Sequence, residues 1–208
     1  MATTLLGACA SPAAGRAGDA AWWLALGQPP DPATAVPLAK LADGAGATAA
    51  DWAVASDAGD TSLDLCHGAG TEASRALPDG GLRDFELRVR ARTEPGAAES
   101  YGVAFRQQGP DEYFLARVDT RNNNVRLYRR SGGNRVLLTA RDLGISVGQW
   151  HELAVRAAGT GLAVALDGGP VLEAGDDHAI GGGLALWAGA GTRVCFNGVW
   201  LTPRGAGS

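Results

Sequence analysis

Residues 84 to 92 alternate between apolar and charged side chains without a break. The apolar positions are Phe85, Leu87, Val89 and Ala91, and the charged positions between them are Glu86, Arg88, Arg90 and Arg92. A period of two predicts a β-strand with one buried face and one solvated face. A helix is disfavoured, because it would place arginine side chains over the apolar ones and bury their charge.

Three further strand patterns follow at short intervals, over about Ser100–Arg106, Glu112–Asp119 and Val125–Arg130. The segments that separate the four patterns are rich in the turn-forming residues Pro, Gly, Asn and Asp. Four consecutive strands joined by turns predict an antiparallel meander, in which one face is buried and the other contacts solvent.

Shorter strand patterns occupy most of the remaining chain. They lie at 22–26, 52–55, 61–66, 73–77, 135–140, 149–156, 162–166, 171–173, 183–188 and 193–201. Residues 31–50 are rich in Pro, Ala and Gly and are expected to form a long surface loop. About a dozen strands without an amphipathic helix predict an all-β fold, a two-sheet antiparallel sandwich of the jelly-roll type. We assign residues 22–201 to this single domain and residues 202–208 to a C-terminal tail.

Composition limits the function classes. A chain of 208 residues with 46% hydrophobic residues can form one domain with a full core. The net charge of −4 gives no support to binding of nucleic acid or of an anionic membrane. Lys40 is the single lysine beside many arginines, a usage typical of a GC-rich bacterial genome. No stretch is long and apolar enough to cross a bilayer.

The N-terminal residues contain a lipoprotein-like signal. Leu6-Gly7-Ala8-Cys9 has the form of a lipobox, in which the cysteine is lipidated, but the basic and apolar regions of a signal peptide are not complete before it. Either the start of the protein lies upstream, or the match is a chance one in an Ala-rich chain. Residues 1–21 are therefore predicted to be a truncated leader and flexible tether. The expected location is the bacterial cell envelope or the medium.

Cys66 and Cys195 remain when Cys9 is set aside. An exported protein can join such an even pair in a disulfide. The alternative is two separate buried thiols, because free cysteine is among the most buried residue types.

Eight phrases in a fixed order carry a family resemblance. They are Asp84–Leu87, Tyr101–Arg106, Asp111–Arg117, Asn124–Arg129, Gly148–Leu153, Val164–Gly168, Gly183–Trp187 and Val194–Val199. This order resembles the concanavalin A-like jelly rolls of bacterial secreted proteins, with laminin G-like modules and the 3-keto-disaccharide hydrolase family as the nearest groups. The resemblance covers about residues 52–201, or 22–201 with the first strand, and the shared phrases are mostly strands and turns.

The resemblance implies two further features. The family sandwich pairs its N- and C-terminal strands, which would bring Cys66 near Cys195. Glycosidases on this fold typically carry a Glu-x-Asp-x-x-Glu motif on one strand, and this sequence has none. Asp84 and Glu86 share a strand face, but the three arginines that follow on that face would keep both carboxylates ionised. They are better explained as a salt-bridged surface than as an acid/base pair.

Tyr113, Arg117 and Asp119 share one side of the third strand of the meander. On a concave sheet face they would bind sugar hydroxyls, with the tyrosine as a stacking surface, and Arg106 on the preceding strand is a candidate fourth member. The alternative is an Arg–Asp ion pair between strands with the tyrosine packed at the edge.

Two late residues complete the candidate set. Trp187 and Asn197 are placed on strands that would border the same face. An exposed Trp187 would favour carbohydrate binding, whereas a buried one would be part of the packing.

Metal and cofactor chemistry have little support. The three histidines, His67, His151 and His178, lack metal-ligand spacing. Asp176, Asp177 and His178 can be read as a cation site or as a solvated acidic loop. We expect no cofactor; a structural calcium ion is compatible with the fold but not indicated.

Three functions follow as hypotheses. The first is a non-catalytic cell-surface or secreted binding module whose partner is a polysaccharide or oligosaccharide. The second is a glycoside hydrolase of the 3-keto-disaccharide hydrolase type, with Asp119, Asp176 and Asp177 as first candidates for its chemistry. The third is a structural or protein-interaction domain. The missing catalytic motif favours the first, and the sequence indicates no oligomeric state.

Overall fold

A computed structural model describes residues 26, 28–42, 52–56, 63–78, 81–96 and 98–204. The strands within this part of the chain are β1 (Trp52–Ser56), β2 (Leu63–His67), β3 (Ala73–Ala76), β4 (Phe85–Thr93), β5 (Ser100–Gly109), β6 (Glu112–Asp119), β7 (Asn124–Ser131), β8 (Asn134–Asp142), β9 (His151–Ala158), β10 (Gly161–Leu166), β11 (Gly169–Gly175), β12 (Gly183–Ala188) and β13 (Val194–Pro203). A 3₁₀ turn (Pro32–Thr34) and helix α1 (Leu38–Ala42) precede them. None of the described helices is long and apolar enough to span a membrane.

The strands form two antiparallel sheets that pack face to face. The seven-stranded sheet has the order β1-β2-β13-β4-β9-β10-β11, and the six-stranded sheet has the order β3-β12-β5-β6-β7-β8. The predicted two-sheet jelly-roll sandwich is confirmed. Chain-distant strands are neighbours in both sheets, as in the pairing of β4 with β13.

One hydrophobic core lies between the sheets and takes alternate side chains of the central strands, whereas edge strand β8 contributes no buried side chain. Phe85, Leu87, Val89 and Ala91 of β4 are fully buried there, as the alternation predicts. Phe105 of β5 links the two layers, since its ring packs edge-on against Phe85 at 6.0 Å and stacks on Phe114 at 5.5 Å. Burying each aromatic or aliphatic side chain of this size contributes about 1.5–3 kcal/mol.

The charged face of β4 is solvated only in part, because Arg90 is exposed whereas Glu86 and Arg88 are buried. Glu86 and Arg88 are 7% and 5% exposed. Arg88 Nε donates to Glu86 at 2.9 Å, and Arg88 also donates to the carbonyl oxygen of Gln28 at 3.0 Å. The prediction was wrong for these two residues because the segment that precedes β1 lies over this part of the sheet, where Leu26 packs against its outer side.

The predicted meander begins one strand later than expected. Consecutive strands β5, β6, β7 and β8 are neighbours in the six-stranded sheet, whereas β4 belongs to the other sheet. The residues Glu94-Pro95-Gly96 lead from one sheet to the other. Turn-forming residues occur both in connections between two sheets and in hairpins within one sheet, so local sequence does not distinguish the two.

The segment predicted as one long loop contains short helical elements. The 3₁₀ turn is capped by Asp31, whose side chain accepts the N–H of Ala33. Leu41 of α1 enters the core at 2% exposure. The predicted tether, Cys9 and the predicted strand at 22–26 lie outside the described residues, except for Leu26, which has helical rather than extended backbone.

Cys66 and Cys195 are joined by a disulfide. They are directly paired on neighbouring strands β2 and β13, with 4.0 Å between their Cα atoms. The bond closes a loop across 129 residues and includes most of both sheets. Restricting the unfolded chain over such a loop stabilises the fold by about 4–5 kcal/mol in the chain-entropy model.

His151 and Asp167 form a second constraint, which holds the β10–β11 turn against β9. His151 Nδ1 lies 2.7 Å from Asp167 Oδ2, and its Nε2 lies 2.8 Å from the carbonyl oxygen of Ser146. The hydrogen bond with Asp167 raises the pKa of His151 above its usual value. Burial alone would raise the pKa of Asp167, but hydrogen bonds from His151 and the Glu152 N–H outweigh it and lower that pKa.

We expect replacement of both cysteines (Cys66→Ser with Cys195→Ser) to lower the free energy of unfolding by about 4–5 kcal/mol, because the unfolded chain regains its freedom. Guanidinium denaturation measures the change. The reduced wild-type protein should lose a similar amount. A double variant as stable as the oxidised wild type would contradict the prediction.

The His151–Asp167 pair should stabilise the protein in full between roughly pH 4 and 6.5, the usual pKa values of the two groups. This stability should be lost as the pH rises through the raised pKa of His151, and as it falls through the lowered pKa of Asp167. In urea denaturation, His151→Gln should flatten the stability profile above about pH 6. The matched variant His178→Gln, in an exposed pair, should keep the wild-type profile above about pH 6; an unchanged profile for His151→Gln over that range would refute the assignment.

Candidate functional site

The outer face of the six-stranded sheet is the surface that points away from the core. Strand alternation and register assign residues to it: Phe114, Ala116 and Val118 of β6 belong to the core, so the residues between them point outward. We define the outer face by its members on four neighbouring strands, which are Ala185, Trp187, Gly102, Ala104, Tyr113, Leu115, Arg117, Asp119, Asn124, Arg126, Tyr128 and Arg130.

The structure brings Tyr113, Arg117 and Asp119 together on this face. Arg117 donates to the Asp119 carboxylate. The same carboxylate accepts the backbone N–H of Asn122 and its side-chain amide, both at 2.9 Å. An Arg–Asp ion pair is therefore present, but it lies within β6 and not between strands, and Asp119 also closes the turn into β7.

The neighbouring strand β7 adds three polar residues that our sequence reasoning missed. Arg130 donates to the Tyr113 hydroxyl at 3.2 Å, and Arg126 lies 3.4 Å from the Tyr128 hydroxyl. These hydrogen bonds raise the pKa of both guanidinium groups. A signal was present for two of them, because Arg126 and Tyr128 alternate with the apolar residues Val125 and Leu127, whereas Arg129 precedes Arg130.

Trp187 lies on the same face but is only 4% exposed. It belongs to a cluster with Ala104, Ala185 and Tyr113. The small side chains of β5 and β12 leave room for the indole to lie on the sheet. The burial supports a packing role for Trp187.

Arg106 is displaced from the face by a register shift. The pairing of β5 with β6 shifts after Phe105, and Arg106 has φ of 52°. Its guanidinium is buried and donates to the carbonyl oxygens of Ala179, Arg83 and Gly159 at 3.1, 3.2 and 2.6 Å. Burial lowers its pKa. Arg106 therefore holds connecting segments together instead of joining the predicted site.

Asn197 is also separate from the cluster, because β13 belongs to the seven-stranded sheet. The expectation that its strand borders the outer face was wrong. The order of strands along the chain does not reveal which sheet the last strand joins.

The acidic loop before β12 is engaged in ion pairs. Asp176 binds Arg129 at 2.7 Å, and His178 Nε2 lies 3.1 Å from Glu112 Oε2. The hydrogen bond with His178 lowers the pKa of Glu112. These contacts form ion pairs between this loop and the six-stranded sheet.

A cleft of about 750 Å³ lies beside the disulfide on the seven-stranded sheet. Asp64, Cys66 and Cys195 bring three potential metal ligands together there. The two sulfur atoms are bonded to each other, so this group cannot supply thiolate ligands. The cleft lies on the seven-stranded sheet, away from the Tyr113–Arg117 cluster on the six-stranded sheet.

Comparison with known proteins shows similarity of fold. No protein-family model matches the chain, and no curated protein is significantly similar in sequence. Among solved structures, the carbohydrate-binding module CBM66 from Bacillus subtilis aligns with a TM-score of 0.61 at 18% identity, over 73% of this chain and 94% of the module. Domain 4 of AbnA, a GH43 extracellular arabinanase from Geobacillus stearothermophilus solved with arabinotriose, aligns with a TM-score of 0.57 at 15% identity, over 78% of each chain.

A third structure, named as a putative glycosyl hydrolase from Parabacteroides distasonis, aligns with a TM-score of 0.52 at 12% identity, over 76% of this chain and 96% of the other. Identities this low establish the sandwich and nothing about the ligand. The fold is thus a concanavalin A-like sandwich.

We expect Tyr113→Phe to lower the free energy of unfolding by about 1 kcal/mol, because Arg130 loses an acceptor. Tyr101→Phe is the matched control: the Tyr101 hydroxyl is buried and has no partner within the described chain, so its removal should be neutral or stabilising. Denaturant unfolding compares the two. A larger loss for Tyr101→Phe would refute the hydrogen-bond assignment.

Proposed function

We propose that this protein is a non-catalytic carbohydrate-binding module and that the sugar binds on the outer face of the six-stranded sheet. The observation that supports this most is the grouping of two tyrosines and three arginines on β6 and β7, with a supporting tryptophan on β12. One solved protein of the same fold is named as a carbohydrate-binding module, and another was solved in complex with arabinotriose, which is consistent with the proposal.

The chemistry of the face suits sugar oxygens. Guanidinium groups donate several hydrogen bonds in a fixed planar arrangement, which matches pairs of hydroxyl or carboxylate oxygens. Arg117 and Arg130 are tied to Asp119 and Tyr113, so they are oriented before the ligand arrives. A preorganised donor loses less entropy on binding.

The carboxylates of the face support a binding role more than catalysis. Asp119 is occupied by Arg117 and Asn122. Burial raises the pKa of Glu152, but this residue lies on the seven-stranded sheet, 3.6 Å from Arg88. A raised pKa is typical of a general acid. The carboxyl group of Glu152 has one, but it lies on the seven-stranded sheet and not on the outer face that carries the tyrosines.

One observation keeps a glycoside hydrolase as the alternative. Asp119 and Asp142 lie in one row of the six-stranded sheet, with Asn124 between them. Two strand spacings amount to roughly 10 Å. Inverting glycosidases hold their carboxyl groups about 6.5–9.5 Å apart, and the backbone spacing of this pair is close to the upper end of that range.

We also propose that the protein is exported. The Cys66–Cys195 disulfide supports this, because structural disulfides persist in oxidising compartments. Lipidation of Cys9 remains part of the proposal, since a lipid anchor would hold the module at the cell surface.

We expect native electrophoresis through gels that each contain a single polysaccharide to retard the protein in at least one gel. Arg117→Ala should abolish the retardation, because it removes a fixed donor. Arg90→Ala, at an exposed position of the other sheet, is the matched control and should leave it unchanged.

Reducing ends assayed in the same lanes distinguish the alternatives. Retardation without new reducing ends supports the binding module. New reducing ends that Asp142→Asn abolishes would establish the hydrolase. Neither effect over a broad panel would favour the structural or protein-interaction role.

A further inference from the structure

Two arginines stand side by side at the centre of the outer face. Arg117 of β6 and Arg126 of β7 are directly paired in the register of the sheet. Directly opposite residues have Cβ atoms about 4.5–5.5 Å apart, and like charges in such positions are destabilising. Negative charge nearby would therefore stabilise this arrangement.

The three arginines of the outer face differ in how close a carboxylate lies to each of them. Arg117 is paired with Asp119, and Arg130 is paired with Asp111 at 2.9 Å. For Arg126, the described residues place no carboxylate within 4.0 Å, and its one hydrogen-bond partner is the neutral Tyr128 hydroxyl. Asp142 and Asp119 act on Arg126 only from a greater distance. Within the described chain, the central guanidinium thus has no carboxylate in direct contact.

The accessible groups of the face are hydrogen-bond donors. Tyr113, Tyr128 and Trp187 are 7%, 8% and 4% exposed, so their rings offer little surface for sugar stacking. Side chains of Arg117 and Arg130 are 20% and 27% exposed.

The tyrosine hydroxyls extend this donor character. Each hydroxyl accepts a hydrogen bond from an arginine, Tyr128 from Arg126 and Tyr113 from Arg130. Each therefore keeps its own proton to donate. Within the described chain, neither proton has a hydrogen-bonded acceptor.

We infer that the saccharide bound on this face is anionic and that Arg126, assisted by Arg117 and the Tyr128 hydroxyl, binds its carboxylate or sulfate group. The inference rests on the proposed function and names its ligand class. The anionic group of the saccharide would lie toward Tyr128 and Arg130. It would thus avoid the carboxylates of Asp119 and Asp142, which are aligned across β6, β7 and β8. A planar guanidinium fork binds two oxygens of either anion at once.

The charge of the whole protein makes this a specific prediction. At a net charge of −4 the protein repels polyanions, so affinity for one has to come from a local cationic surface. Such affinity should also fall as ionic strength rises.

The test uses calorimetric titration with two matched pairs of polymers. Polygalacturonate is compared with its fully methyl-esterified form, and dextran sulfate with dextran. We expect at least tenfold tighter binding to an anionic member than to its neutral partner. Polygalacturonate binding assigns the site to uronates, and dextran sulfate binding assigns it to sulfated sugars.

Three variants locate the binding. Arg126→Gln should weaken binding of the anionic polymer at least tenfold, as expected for loss of a charge-assisted hydrogen bond. Arg126→Lys should give an intermediate affinity, because it keeps the charge and loses the fork. Arg90→Gln makes the same charge change on the other sheet and should bind like wild type. Thermal unfolding of each variant checks that it is folded.

The outcomes separate this inference from the proposed function. Equal losses for Arg90→Gln and Arg126→Gln would show non-specific attraction and overturn it. Binding of neutral polysaccharides that Arg117→Ala abolishes and Arg126→Gln leaves intact would also overturn it, while the carbohydrate-binding role would stand. If no polysaccharide binds, both proposals fail.

Discussion

Alternation of side chains along each strand is the constraint on which this molecule depends. Because the core between the sheets takes one side of every strand, the composition of the outer face is determined at the same time. In β6, a shift of register by one residue would exchange Phe114 for Tyr113 and would carry Arg117 toward the core. The stacked pair of Phe105 and Phe114 therefore fixes the orientation of the arginines on the other side of the same sheet.

Arg106 is the exception that joins the layers. A bulge takes it out of the alternation, and its buried guanidinium binds carbonyl oxygens from three connecting segments. Removing a charged group from water is costly unless its donors are satisfied. Three carbonyl acceptors offset much of that cost, and they tie the segments before β4, between β9 and β10, and between β11 and β12 to one point.

Local periodicity predicted the features that depend on the sequence of one strand, namely its bounds and the side on which each residue lies. The strands from β4 to β7 were found close to their true bounds, and so was the shared side of Tyr113, Arg117 and Asp119, because a period of two is a local property. The sheet to which β4 belongs was not predictable in this way, because the same turn residues occur in hairpins within a sheet and in connections between two sheets. Burial of Arg88 likewise depends on a chain segment about sixty residues away, and the alternation along β4 does not reveal where that segment lies.

The disulfide has a mechanical consequence. It bridges β2, near the start of the described strands, to β13 at their end. A pull applied between the chain before β2 and the chain after Cys195 passes through a covalent bond and bypasses the 129-residue span inside the loop. That span, roughly 430–460 Å when fully extended, cannot be drawn out by such a force while the bond is intact. The outer face of the six-stranded sheet lies within the loop, so tension of this kind would leave its geometry undisturbed.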